Sequence, residues 1–221
     1  MCIRGILFDF DGTLVDSEPV HCQLWQQLLR PYSVALSKRD YQTLLLGTAS
    51  TDSAALLVET FALPISAQNL MQQREIALQA QLLEAPPALM PYARKTLEHY
   101  RKQGFRLALV TASGRQAVHN ILCAHGLQDL FEVITTGDDI RHSKPHPEGY
   151  CQTLQRLGLK PHQGVAIEDS ATGIQAALTA NLRCLGIKNP YGRPHECDQA
   201  THVFDHLGEV CRWIDSNLLT A

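Results

Sequence analysis

Residues 5–18 read GILFDFDGTLVDSE, and the reading of this stretch decides the rest of the chain. Gly5-Ile6-Leu7-Phe8 is a short apolar run of the kind that forms a buried strand, and Asp9 and Asp11 leave at its C-terminal end. Open parallel sheets bind their ligands at that edge. Two carboxylates so close raise each other's pKa and destabilise the fold unless they share a proton or a cation. The stretch therefore asks for a metal ion.

Outward from it, the chain is long enough for one large domain with an insertion, or for two small ones. Its 221 residues are 45% hydrophobic and 19% charged with a net charge of −3, an ordinary soluble globular composition with no basic excess for nucleic acid. Apolar runs such as 54–58 and 107–110 fall far short of the roughly 20 residues a membrane span needs. The opening MCIRGILFDFDG has one early positive charge and no small-residue cleavage site, and is expected to be the first strand, not a targeting segment. Seven cysteines, at 2, 22, 123, 151, 184, 197 and 211, contain no Cys-x-x-Cys pair, which points to free thiols in the cytoplasm. His195, Cys197, His202 and His206 are residue types that zinc prefers. The usual second cysteine is missing, though, and Val203-Phe204 reads as a strand, so a loop and strand edge is the expected structure.

Residues 17–85 carry apolar residues at helical spacing: Val20, Leu24, Trp25 and Leu28; Tyr41, Leu44 and Leu45; Leu56, Leu57 and Phe61; Leu70, Ile76, Leu78 and Leu82. They are expected to form an all-helical insertion, a candidate lid, bounded by the acidic loop and an Ala85-Pro86-Pro87 hinge. The remainder alternates. Helices are expected at 92–103, 116–125, 147–157, 172–180 and 207–218, and strands at 106–110, 133–135, 165–167, 184–187 and 203–204. The predicted fold is α/β: a Rossmann-like doubly wound parallel sheet core, residues 1–16 and 86–221, with an inserted all-helical cap domain, residues 17–85.

In such a sheet the C-terminal strand ends gather at one rim. Here they carry Asp9 and Asp11, Thr111 and Ser113, and Glu168 and Asp169, with Lys144 at a helix approach opened by Pro147. Carboxylates can hold a hard cation such as Mg²⁺, a lysine and a hydroxyl can hold phosphate oxygens, and a carboxylate can attack phosphorus. These are the parts for phosphoryl transfer. Asp16 and Asp138 read either as functional acids or as plain helix N-caps and turn formers. Ser170, Thr172 and Gly173 read as the start of the next helix, and His21 as a hinge or packing residue.

Four motifs in order and in register, DFDGT (9–13), VTASG (110–114), KPHPEGY (144–150) and IEDSATGI (167–174), make the chain resemble the haloacid dehalogenase superfamily over almost its whole length. The likeness is to the β-phosphoglucomutase-like and sugar-phosphatase branch. It implies that Asp9 becomes an aspartyl-phosphate and that Asp11 is general acid and then base. It further implies that Mg²⁺ is held by the Asp9 side chain, the Asp11 backbone carbonyl and Asp169, with Glu168 in or just behind that set. Thr111, the backbone around Ala112, and Lys144 would hold phosphoryl oxygens. Ser113, Arg115 and the cap residues Thr48, Ala49 and Ser50 would help choose the substrate. Asp9, Glu168 and Asp169 together oppose Mg²⁺ and Lys144 before a substrate phosphate of about −2 arrives. That excess of negative charge fits a protonated Asp11.

The branch's mutases have a lysine beside the cap glycine and an arginine soon after. This chain reads Leu45-Leu46-Gly47-Thr48-Ala49-Ser50-Thr51-Asp52, with neither charge, which favours water over a sugar hydroxyl as the acceptor. A β-phosphoglucomutase-like phosphotransferase is the alternative, followed by an inactive binding or regulatory homologue. Dehalogenation is disfavoured by the second aspartate, Asp11, and phosphonate hydrolysis by the lack of a well-placed cap lysine, Lys38 being the early candidate. The expectation is a monomeric, cytoplasmic, Mg²⁺-dependent phosphatase whose partner is a small phosphorylated substrate, with no nucleic acid or membrane partner.

Overall fold

The computed structural model describes residues 3–45, 50–192 and 195–218, without the side chains of Ser50 and Thr51. The chain divides into two compact units, Met1–Asp16 with Ala88–Ala221, and Ser17–Pro87. The break thus falls after Pro86-Pro87 and not before it.

In the first unit six strands, β1 (Gly5–Phe8), β2 (Arg106–Val110), β3 (Val133–Thr135), β4 (Gly164–Glu168), β5 (Arg183–Ile187) and β6 (His202–Phe204), form one sheet in the order β3-β2-β1-β4-β5-β6. Every neighbouring pair is parallel. Parallel strands need crossovers, and five helices are present to make or follow them: α5 (Ala93–Lys102), α6 (Arg115–Ala124), α7 (Glu148–Leu157), α8 (Ala171–Thr179) and α9 (Leu207–Asn217). All residues of β1 and β4 are buried, which is why these strands read as continuous apolar runs and not as alternating ones. One core cluster takes Leu7, Ala108 and Ala166 from the central strands and packs them on Tyr150 and Leu154 of α7 and Ile174 and Ala177 of α8.

The chain steps outward from β1 to β2 and β3, then returns to the other side of β1 with β4 and continues to β5 and β6. Strand order therefore reverses between β1 and β4, the place where doubly wound sheets open a crevice at their C-terminal edge. Beyond β1, Asp16 N–H donates to the Ala88 carbonyl at 2.8 Å and Met90 N–H to that of Leu14 at 2.9 Å. Val15 and Leu89 form the antiparallel bridge between these bonds.

The second unit is helical among its described residues: α1 (Glu18–Leu29), α2 (Lys38–Leu44), α3 (Ser50–Thr60) and α4 (Ala67–Glu84). Helix α4 packs on α1 and α3 and buries Leu70, Leu78 and Leu82, while Leu24, Trp25 and Leu29 are the apolar face of α1. Polar groups lie inside this unit as well. The buried Arg74 guanidinium stands 5.3 Å from the Trp25 ring and meets His21 Nδ1 at 3.2 Å, and the Tyr41 hydroxyl donates to Glu18. His21 is thus a packing residue of the helical unit.

Candidate active site

Strand register places the acids. Phe8 lies opposite Ile167, and Asp9 N–H donates to the Ile167 carbonyl at 3.0 Å. The next residue on each strand is acidic, so Asp9 and Glu168 emerge side by side at the reversal point, with Asp169 one residue further. Carboxylate oxygens of Asp9, Glu168 and Asp169 lie within 4.8 Å of one another, and all three residues are buried. Lys144 is the cation among them. Its ammonium donates to Asp9 Oδ1, to Glu168 Oε1 at 2.6 Å and to the Val110 carbonyl at 3.0 Å. Three hydrogens meet three protein acceptors, so Lys144, expected on phosphoryl oxygens, is here committed to the carboxylates.

Each remaining acid has its own donors. Glu168 also accepts from the Tyr150 hydroxyl at 2.7 Å and from Ser170 at 3.3 Å. Asp169 accepts from Thr13 at 3.1 Å on Oδ1 and from the Asn189 amide at 2.6 Å on Oδ2, and that amide is oriented in turn by Tyr191 N–H on its oxygen at 2.9 Å. Asp11 answers to another set, accepting from the Ser113 hydroxyl and, at 3.5 Å, from that of Thr111. Ser113 N–H donates to Thr111 Oγ1 at 3.0 Å, which fixes this hydroxyl pair at the end of β2. Ala112 lies between them, its carbonyl close against Gly137.

Two glycines let these groups approach. Gly12 has a φ of +81°, and a Cβ there would sit 2.1 Å from Asp169 Oδ2 and 2.5 Å from the Asn189 amide nitrogen. A Cβ on Gly173 would stand 2.1 Å from the Glu168 carboxylate, which therefore lies against the first turn of α8. Ser170 caps that helix through a bond from Gly173 N–H at 3.1 Å, as its sequence position suggested.

Burial dominates the electrostatics. It pushes Asp9 well above the usual carboxylate range, with the Glu168 charge adding to it and Lys144 opposing. It likewise pushes Asp169 up to about 7, again with Glu168 adding and the Asn189 and Thr13 hydrogen bonds opposing. Burial alone would lower Lys144, but Asp9 and Glu168 outweigh it and hold the ammonium above its ordinary value.

The model of the haloacid dehalogenase-like hydrolase family matches residues 6–187, which takes in the four acids, Lys144 and the β2 hydroxyls and stops just short of Asn189. The chain belongs to this family. Among curated relatives of this hydrolase, Protein CbbY of Cereibacter sphaeroides is 30% identical over 219 residues, covering 94% of each chain. The phosphorylated carbohydrates phosphatase of Thermotoga maritima is 27% identical over 206 residues, 92% of this chain and 91% of that one. Among solved structures, a mutant CbbY from Rhodobacter sphaeroides in complex with xylulose-(1,5)bisphosphate superposes with a TM-score of 0.82 at 27% identity, over 94% of this chain and 96% of that one.

The hydrolase's own residues fit a divalent cation. Three buried carboxylates face one lysine, and the burial and Glu168 charge that raise Asp9 and Asp169 are what a hard, oxygen-preferring ion such as Mg²⁺ would offset. Glu168, which accepts from Lys144, Tyr150 and Ser170, is the least available of the three.

Not every sequence candidate joins this cluster. Arg115 opens α6, its N–H donating to Asp138 at 2.7 Å, while its guanidinium pairs with Asp139 at 2.6 Å and stays 62% exposed. It is thereby drawn to the turn after β3, where Asp138 serves as acceptor for the first N–H of α6. Thr48 and Ala49 lie outside the described residues, and Ser50 begins α3 with its side chain outside the described ones. The Cys/His group near the C-terminus disperses. His195 pairs with Asp198 at 2.9 Å, Cys197 donates to the Asp169 and Ile187 carbonyls, His202 lies over Trp213 and His206 stacks on Tyr92. Sequence reasoning missed Asn189 altogether and gave Thr13 and Tyr150 no role. The last two sit inside motifs already noted, but nothing around Asn189 announces it.

Proposed function

We propose that the chain is a Mg²⁺-dependent phosphatase that hydrolyses a small phosphorylated metabolite of the sugar-phosphate class through an aspartyl-phosphate on Asp9. The observation that carries this reading is the division between two acids of one loop. Asp9 is buried with Glu168, Asp169 and Lys144, while Asp11 is half-buried and held by the hydroxyls of Ser113 and Thr111. Two neighbouring carboxylates in different environments can serve as nucleophile and as proton carrier.

In the first step an Asp9 oxygen bonds to phosphorus as the bond to the leaving alcohol breaks, and Asp11 gives that alcohol its proton. In the second, water bonds to phosphorus, its proton passes to Asp11, and the Asp9 carboxylate leaves. Lys144 opposes the upward push of burial on Asp9 and aims its carboxylate, and Thr111 and the backbone around Ala112 receive phosphoryl oxygens. Mg²⁺, held by Asp9, Asp169 and the Asp11 carbonyl, would offset the charge of the phosphoryl group, with Tyr150 and Ser170 fixing Glu168 behind these ligands.

Relatives of this chain that are named for phosphorylated carbohydrates or held xylulose-(1,5)bisphosphate support the sugar-phosphate class. A monophosphate is favoured because residues 45–52 of this chain supply no lysine or arginine for a second phosphate. Substrate selection falls to the helical insertion, residues 17–85. The enzyme is proposed to act as a monomer in the cytoplasm, consistent with its described cysteines being free thiols. No described helix is long and apolar enough to cross a membrane.

A panel of sugar phosphates assayed for phosphate release with and without Mg²⁺ tests the reading. Mg²⁺-dependent release that Asp9→Asn abolishes is expected. Release that survives Asp9→Asn, or a panel left untouched in Mg²⁺, would overturn it.

A further inference from the structure

A second set of metal-ligating side chains lies on the first unit, away from the carboxylates of β1 and β4. Cys211 and Asp215 are four residues apart on α9 and share one face of that helix. Helix α5 packs against α9 and brings His99 to the same place. His99 Nε2 is 3.0 Å from Asp215 Oδ2, Cys211 Sγ is 4.0 Å from the same oxygen, and ligand atoms of the three residues all lie within 4.8 Å. We propose that His99, Cys211 and Asp215 bind a transition-metal dication of the Zn²⁺ class, clamping α9 to α5.

Ligand chemistry selects the ion. A thiolate, an imidazole and one carboxylate form a borderline-soft set that suits Zn²⁺ or Co²⁺, unlike the all-oxygen cluster of Asp9, Glu168 and Asp169. Metal–ligand bonds of about 2.0–2.3 Å in a tetrahedron put ligand atoms roughly 3.3–3.7 Å apart. The side chains therefore need only small shifts to close on an ion. His99 and Asp215 keep 38% and 36% of their side-chain surface exposed, which leaves a path for entry and room for a water as fourth ligand.

Two further observations point to a ligand here. Asp215 Oδ1 is buried and has no hydrogen-bond partner among the described residues, a cost that folded proteins rarely leave uncompensated. The Tyr100 hydroxyl, close to the Cys211 and Asp215 side chains, donates to the Cys211 carbonyl at 3.0 Å. In addition, His99 Nε2 faces both Asp215 Oδ2 and the Gln103 side-chain nitrogen, the latter at 2.9 Å. One ring nitrogen has a single hydrogen or a single lone pair and cannot serve both. A cation between His99 and Asp215 would take the lone pair and also meet the carboxylate.

Titration of the purified full chain with Co²⁺ tests the site by a signal that the carboxylate cluster cannot give. A thiolate-to-cobalt charge-transfer band should appear, saturate at one equivalent and vanish when Zn²⁺ is added. It should be lost in Cys211→Ser and His99→Gln, and kept in Cys123→Ser, which removes the exposed thiol beside His119. Zn²⁺ should raise the thermal midpoint of the wild type and leave that of Cys211→Ser unchanged. No band, or a band that persists in folded Cys211→Ser, would overturn the proposal.

Discussion

Asp9 and Asp11 are separated by one residue, and their neighbours give them different work. Asp9 lies in a buried set with Lys144 as its cation, whereas Asp11 meets the hydroxyls of Ser113 and Thr111. Asp11→Asn should therefore slow both formation and hydrolysis of the phosphoenzyme while leaving Asp9 free to attack an activated aryl phosphate. Single-turnover traces with aryl and sugar phosphates would show the difference, and equal losses for both would remove Asp11 as the acid. Asn189 is the residue that the fold adds to this account. Its amide fixes Asp169 Oδ2 at 2.6 Å, and loss of such a supporting bond typically weakens metal affinity about 10- to 100-fold. Asn189→Ala should raise the Mg²⁺ concentration for half-maximal activity by about that factor, with a smaller change in saturated kcat. Calorimetric Mg²⁺ titration measures the affinity directly, without turnover.

At the scale of elements, β1 and β4 do most of the positioning because strand order reverses between them. The Glu168 carboxylate is pressed on α8, and Gly173 is the concession that permits it. Gly173→Ala puts a methyl 2.1 Å from that carboxylate, so helix and strand must separate. A thermal midpoint several degrees lower, with activity falling as well, is expected; an unchanged midpoint would show that the helix moves freely. Elements themselves were largely legible in the sequence. Gly5–Phe8, Arg106–Val110 and Val133–Thr135 are apolar runs whose flanking residues end them sharply, and they form as read. Helix ends shift by about one residue, as with Ala171–Thr179 for an expected 172–180, since caps and first turns share the same residue types. The site was legible where one motif occupies one strand end. Asn189 was not, because it reaches Asp169 across the sheet edge from β5 to β4, a contact that no local spacing encodes.

For the whole molecule, the carboxylate cluster predicts how stability depends on pH and on metal. Asp169 is raised from 3.8 to about 7, and Asp9 is raised too. In that range the metal-free native state holds more protons than the unfolded chain, so its stability falls as pH rises from 3.8 toward about 7. Lys144, held above its ordinary value, loses its contribution only at much higher pH. Mg²⁺ should restore the loss, most strongly at the upper end of the window, and thermal melts in chelator and in Mg²⁺ across that range would show the two curves diverging. Parallel curves would mean that the cluster does not hold the ion. The central claim, that Asp9 carries the phosphoryl group in transit, is tested most directly by acid-quenching the enzyme during turnover of a hydrolysed sugar phosphate and mapping the modified peptide by mass spectrometry. The account predicts one phosphoryl group on Asp9, labile to hydroxylamine and absent in Asp9→Asn. A phosphoryl group on another residue, or steady turnover with no phosphorylated peptide at any quench time, would contradict it.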